Sequence, residues 1–345
     1  MRKYIACTAL LLLSFSLSAQ TLTEKIDEVQ FFADQSMLEV TIMMDLKNMM
    51  VNKLKEGQKF TANFTAKFED GSEVTGPVTL EVRGKYRREN CYLPPLKINF
   101  KNEKSPILTP LGSIKLVNVC EVGRRNNADY VLKEYLTYKI FNLFTDKSLR
   151  ARLLRINYID SFGKRKPIQE FGFLLEDVSD MARRNDCIER KTPVKHTEQT
   201  DRKHMTKVAM FEYMIGNTDW SVPARHNIKL VVPKEDTSAI PFPVPYDFDH
   251  SGLVKTDYAL PPPQLSITDV TQRSYRGFAR NIEEINTMAE EFIIKKEAIY
   301  NLVQNFEYIS DNAKKNMISF LNEFYVTLSR PKSVNAEFIQ NARKD

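Results

Sequence analysis

Three oxygen-bearing side chains, Asp219, Asn227 and Asp247, fall in one stretch from Met210 to Gly252, and they are of the types that phosphoryl transfer uses. One carboxylate can orient an acceptor hydroxyl while an amide and a second carboxylate hold Mg²⁺ on the phosphates, since a hard cation takes oxygen ligands. An apolar run at helical spacing, Thr206 to Ile215, ends at Gly216. Asp219 lies in the turn that follows, Asn227 opens a β-rich run, and Asp247-Phe248-Asp249 closes the stretch. Each residue alone also has a plain structural role: an Asp after Gly-Asn can bond nearby backbone amides, and Asp247, close after Pro245, can cap a turn. His226 and His250 lack the spacing of metal ligands and read as surface residues or supports.

The elements upstream must supply the rest of such a site. Lys59 to Phe68 alternates, with Phe60, Ala62, Phe64, Ala66 and Phe68 on one face, which is the period of a half-buried strand. Leu38–Ile42 and Val78–Val82 repeat that period, so the region up to Phe100 is expected to be antiparallel and β-rich. Two short strands follow, Leu96–Phe100 and Ile114–Val119, with Lys97 and Lys115 pointing away from their apolar faces. A helix is expected over about Asp129 to Phe144, with Leu132, Leu136, Ile140 and Phe144 four apart and Glu134 among them. A lysine on a strand followed by a glutamate on a helix is how kinases pair a phosphate-binding lysine with an acid; solvated surface charges are the plainer alternative.

Ala151–Asp160 and Pro167–Leu175 flank Ser161-Phe162-Gly163-Lys164 and read as a hairpin leading into Glu176-Asp177-Val178, a crossing segment between two lobes. Arg183 to Lys203 is charged and poor in apolar residues, so an exposed loop or short helix is expected there. Ala259-Leu260-Pro261-Pro262-Pro263 is expected to be extended and cannot be helical. Two helices, roughly Asn281–Phe306 and Asp311–Leu328, finish the chain.

The 345 residues suffice for one large or two modest domains. The formal net charge is +6, of which Arg2 and Lys3 supply two, too weak a balance to point to nucleic acid. Arg2 and Lys3, the apolar run Ile5–Leu13 and the small residues up to Ala19 have the pattern of a secretory signal peptide over 1–19. No later run is long and apolar enough for a transmembrane helix, so an exported protein, periplasmic or extracellular, is expected. Cys91, Cys120 and Cys187 remain after cleavage; an odd count allows one disulfide, and the pairing stays open.

Three stretches resemble the CotH spore-coat protein kinase family, a branch of the protein-kinase-like fold. They are Val82-Arg83-Gly84-Lys85 leading to Pro95-Leu96-Lys97-Ile98-Asn99-Phe100; Gly172-Phe173-Leu174-Leu175-Glu176; and Gly216-Asn217-Thr218-Asp219 through His226-Asn227 to Tyr246-Asp247-Phe248-Asp249. The last is the most specific and is also similar to the catalytic segment of HipA-type kinases. The resemblance implies an α+β, two-lobed protein-kinase-like fold, with a β-rich N-terminal lobe over 20–176 and a mainly helical C-terminal lobe over 177–345. It implies ATP and Mg²⁺ in the cleft and transfer to a Ser or Thr hydroxyl of a protein substrate. Asp219 would be the base, Asn227 and Asp247 metal ligands, and Asp249 a further ligand. Lys97 would be the first phosphate contact and Lys115 the second, with Glu134 the acid on the helix, and Glu176 would lie near the adenine. No G-x-G-x-x-G loop is present, so Arg83, with Lys85, Arg87 and Arg88, would have to cover the phosphates.

Two other readings compete. A catalytically silent kinase-like scaffold has no need of Asp219, Asn227 and Asp247 together. A β-sandwich carbohydrate-binding protein leaves the helical half idle.

Overall fold

The computed structural model describes residues 31–32, 34–84, 86–100, 105–123 and 125–344, apart from the side chains of 125–127. The expected signal peptide over 1–19 and Lys85 lie outside these residues. The architecture is mixed α+β, β-rich in the first half and mainly helical in the second.

Strands β1 (Leu38–Met44), β2 (Lys59–Lys67), β3 (Glu73–Val82), β4 (Leu96–Asn99), β5 (Ser113–Asn118), β6 (Ala151–Asp160) and β7 (Ile168–Leu175) close into a barrel in the order β1-β2-β3-β4-β5-β7-β6. Neighbours pair antiparallel except β1 and β6, which run parallel from Leu38↔Leu154 to Met44↔Asp160. The alternation in β2 buries Phe60, Ala62, Phe64 and Ala66, the face that the period marks. Gly172 on β7 is a packing requirement. A Cβ there would lie 2.6 Å from Ile156 Cδ1 and 2.8 Å from the Val117 carbonyl oxygen. Short helices α1 (Leu46–Asn52) and α2 (Tyr86–Asn90) sit in the connections.

Helix α3 (Arg125–Asn142) is buried almost all round: from Val131 to Phe141 only Lys133 and Lys139 reach solvent. That is the signature of a helix enclosed by other elements. Tyr135 and Tyr138 pack on Phe173 of β7, at 6.1 and 5.6 Å between rings. Phe141 meets Phe211 at 4.5 Å on α5 (Arg202–Ile215), and Phe144, just past the end of α3, meets Phe292 at 4.3 Å on α6 (Ile282–Gln304). The helix starts earlier than the expected Asp129; the turn Arg125-Asn126-Asn127-Ala128 carries no large apolar residue by which the period could have been followed that far back. It ends at Asn142, where Leu143 and Phe144 donate back only three residues.

The span Arg183–Lys203, expected as a loop or short helix, is more ordered than that. It holds the end of α4 (Val178–Arg184), strand β8 (Cys187–Glu189), a capped 3₁₀ turn over Thr197–Gln199 and the start of α5. Three residues with one buried, Cys187, are too few to show a period. β8 pairs with β9 (Ile228–Pro233), which pairs with β10 (Phe242–Pro245). Helices α6 and α7 (Asp311–Leu328) follow, α6 with an Asn281/Glu284 capping box, but they do not finish the chain as expected: a short helix α8 (Pro331–Asn335) runs on into a π-helical turn over Ala336–Gln340, too short to show a period. Among the described residues no helix is long and apolar enough to cross a membrane. Cys91 and Cys120 form a disulfide, and Cys187 is free and buried.

Candidate active site

The loop that carries Asp219 is fixed at both ends. Helix α5 stops at Gly216, whose φ of 66° favours glycine. A Cβ on Gly216 would lie 2.9 Å from the Phe320 ring, and one on Gly252 would lie 2.4 Å from the Val270 carbonyl oxygen. The Gly252 amide donates to the Gly216 carbonyl at 3.1 Å and that of Leu253 to Ile215 at 2.9 Å. The chain after Asp249 is therefore stitched to the chain before Asp219. Within the loop the Asp219 amide donates to Asn217 Oδ1 at 3.0 Å, and Ser221 and His226 bridge across the turn.

The turn returns the chain through Arg225 and Asn227, both at φ 52°, a region Asn tolerates better than most residues. Asn227 Nδ2 donates to the Asp219 carbonyl at 2.8 Å and to Asp219 Oδ2 at 3.1 Å. The β9–β10 register pairs Ile228 with Pro245, and one step further the Tyr246 amide donates to the Asn227 carbonyl at 3.0 Å. Asp247 follows at φ 66°, and its amide donates to the Tyr138 hydroxyl on α3 at 2.8 Å. Asn227 is thus bonded directly to Asp219 through its side chain, and its carbonyl to the amide of the residue before Asp247.

Asp219 Oδ1 lies 2.8 Å from His226 Nε2, and the carboxylate stays 30% exposed, so a substrate can reach it. Cations face Asp247. Lys115 lies with its Nζ 4.8 Å from the centre of the Tyr246 ring. Burial and then Arg83 push its pKa down to about 8, against the attraction of Asp247. Burial also lowers Arg83, and Asp247 is the main charge that opposes this. Lys97 stands directly opposite Lys115 in the β4–β5 register, on the same face and exposed. Of the two lysines, it is Lys115 that packs against Tyr246 beside Asp247.

Glu134 is buried on α3. Burial, then Asp249 and Asp247, raise its pKa well above the ordinary carboxylate range, with Arg87 and Arg83 the main opposing charges. The acid on the helix therefore meets arginines of the β3–β4 connection, and Lys115 is not among the charges that act on it most. Asp249 is buried as well: Tyr258 donates to its Oδ2 at 2.9 Å, and burial followed by Asp247 raises its pKa. Glu176 lies apart, its carboxylate bound by Arg184 at 2.9 and 3.0 Å and by the Arg150 amide at 2.9 Å. That carboxylate ties the end of β7 to the end of α4.

No family model matches the sequence, and no curated protein matches it. Among solved structures the chain is similar to that titled crystal structure of a Helicobacter pylori proinflammatory kinase CtkA. The identity is 10% and the TM-score 0.38, covering 72% of this chain and 91% of that one.

The donor set fits a hard divalent ion in part from the protein. Among the described residues no three His, Cys, Asp or Glu side chains are grouped to hold a metal. Asn227 turns its NH₂ end to Asp219, which leaves Oδ1 as the end of the amide that can serve as a ligand. One amide oxygen and one carboxylate need phosphate and water oxygens to complete six ligands, which is how Mg²⁺ is usually held with a nucleotide. Several residues here carried no sequence signal of their own. Tyr138, which holds Asp247, lies one turn after Glu134 on α3, and that spacing is the one clue available. Glu212, buried in the last turn of α5, is pushed up to about 8 by burial, with Asn217 and Arg276 opposing. Arg276 donates to the Trp220 carbonyl at 2.8 Å and to that of Thr218, bracing the Asp219 loop from outside.

Proposed function

We propose that this chain is an exported, atypical protein kinase that passes the γ-phosphoryl group of ATP to a Ser or Thr hydroxyl. On this reading the barrel and α3, over 20–176, form one lobe of a kinase-like fold, and 177–345 form the other. The observation that carries the proposal is the linked trio: Asn227 bonded to both the carbonyl and the carboxylate of Asp219, and its own carbonyl bonded to the residue before Asp247.

Asp219 accepts the proton of the substrate hydroxyl as that oxygen attacks the γ-phosphorus and the bond from phosphorus to the β,γ-bridging oxygen breaks, ADP leaving with that electron pair, while His226 and Asn227 fix the direction of the Asp219 carboxylate. Asn227 Oδ1 and Asp247 are the groups that would hold the metal. When bound, Mg²⁺ neutralises charge that builds on the phosphate oxygens. Lys115 and Arg83 supply the fixed positive charge on the barrel side, in place of a glycine-rich loop.

A titration that follows the unfolding temperature with ATP plus Mg²⁺, against either alone, tests binding; autophosphorylation and transfer to a protein substrate test the chemistry. Transfer that disappears in Asp219→Ala and in Asp247→Ala is the expected result, and no nucleotide binding removes the reading. One observation favours a second reading, a kinase-like binding scaffold without transfer: Glu134 faces Arg87 and Arg83, which leaves Lys115 without the helix acid. Nucleotide-dependent stabilisation with no transfer at any substrate selects that alternative.

A further inference from the structure

We propose that the surface beside Asp219 is a docking groove for an acidic protein segment; the groove stands on its own geometry, and only the transfer step rests on the phosphotransferase reading. A cavity of about 420 Å³ opens between the 190–199 segment and the end of the β9–β10 connection. Arg190 and Lys195 line it with Gln199, Ser238 and Ile240, the last 63% exposed, and no Asp or Glu is among its lining residues. Gln199 Oε1 is occupied by the amides of Lys195 and His196, so the donor end of that side chain is what remains for a ligand. An apolar floor with cations and amide donors matches a peptide rich in carboxylates.

The groove is joined to the reacting end. The Arg190 amide donates to Leu230 of β9 at 2.8 Å, and Arg225, in the turn between Asp219 and Asn227, donates from Nη1 to the Lys191 carbonyl at 2.6 Å. Along this strip Glu189 is the carboxylate, and it is met by Lys191, by Lys229 at 3.4 Å and by Arg225 at 3.9 Å. Three cations against one carboxylate leave the path positive. It continues past Tyr246, which Lys229 approaches to 5.8 Å and Lys115 to 4.8 Å, to Asp247. An extended segment laid in the groove places its acidic residues on Arg190, Lys195 and Lys191 and a flanking hydroxyl at Asp219.

The test uses peptides that share one Ser and differ only in flanks, acidic, alanine or basic. Binding to the full chain is read by fluorescence anisotropy without nucleotide, and transfer by phosphate incorporation with ATP and Mg²⁺. The acidic peptide is expected to bind about tenfold tighter than the alanine one at low salt, with the gap closing as salt rises. Lys191→Glu with Lys195→Glu, both exposed, should reverse the order while circular dichroism shows the fold retained, the lost Lys191–Glu189 pair lowering the unfolding temperature only slightly. Equal binding of all three peptides, or an acid preference that survives the double reversal, overturns the groove. Acid-selective, reversible-by-charge binding with no transfer supports the groove and removes the kinase reading instead.

Discussion

The Asn227 carbonyl accepts the Tyr246 amide at 3.0 Å, so the residues flanking that bond, Asn227 and Asp247, are held in register by the backbone of β9 and β10. A site assembled this way is positioned before any ligand arrives, which is the condition for electrostatic stabilisation without reorganisation.

Asn227 serves both the backbone and the side-chain geometry. Asn227→Ala removes the amide that caps the Asp219 carbonyl and puts a Cβ-bearing residue with no compensating bond at φ 52°. Asn227→Gly removes the amide alone. Chemical denaturation should show the alanine variant less stable than the glycine one by about 1 kcal/mol, the cost of the left-handed backbone. Both should lose phosphate transfer alike; equal stability of the two would contradict the assigned conformation.

Lys115 titrates near the working range. With its pKa about 8, nucleotide affinity that depends on its charge is retained below that pH and weakens as pH rises through it. Asp247 raises this pKa by attraction, so in Asp247→Asn the weakening should move to lower pH. Calorimetric titration with ATP at stepped pH, without metal, reads both profiles; a profile that stays flat to pH 9 in the parent would exclude Lys115 as a phosphate contact.

Glu212 predicts a stability change in the alkaline direction. Its folded pKa of about 8 lies above the ordinary 4.5, so the folded state holds a proton that the unfolded chain releases. The contribution is fully present below about pH 4.5 and is lost as pH rises through about 8. Unfolding temperatures of the parent should therefore fall over that window more steeply than those of Glu212→Gln, whose amide keeps the shape without the titration.

The Cys91–Cys120 bridge closes a loop with a sequence separation of 29 and pins the end of α2, which carries Arg87, to the end of β5. Chain-entropy reasoning puts its worth at about 3 to 4 kcal/mol. Cys91→Ser with Cys120→Ser should lower the unfolding temperature and weaken nucleotide binding together. Unchanged binding in a folded double variant would show that the arginine segment keeps its place unaided.

Much of this was legible because it is local. The alternation of Lys59–Phe68 marks β2 and its buried face, and the four-residue spacing marks α3. The turn signals around Gly216 and Pro245 frame the stretch that carries Asp219, Asn227 and Asp247. What stayed hidden depends on distant partners. Closure of the barrel needs β1 to meet β6, more than a hundred residues later, and nothing in either strand names the other. The cluster of Arg87, Glu134, Asp249 and Tyr258 draws on four separate segments, so burial of Glu134 could not be told from surface exposure by its position on α3 alone.

Closure of the barrel through β1 and β6 also decides how this chain behaves in a crowd. It removes both borders from the larger sheet, so no foreign strand can extend it. The smaller sheet keeps two borders, but β10 withholds donors at Pro243 and Pro245, and β8 is three residues long against α4. Among the described residues these sheets give templated fibre growth little to copy.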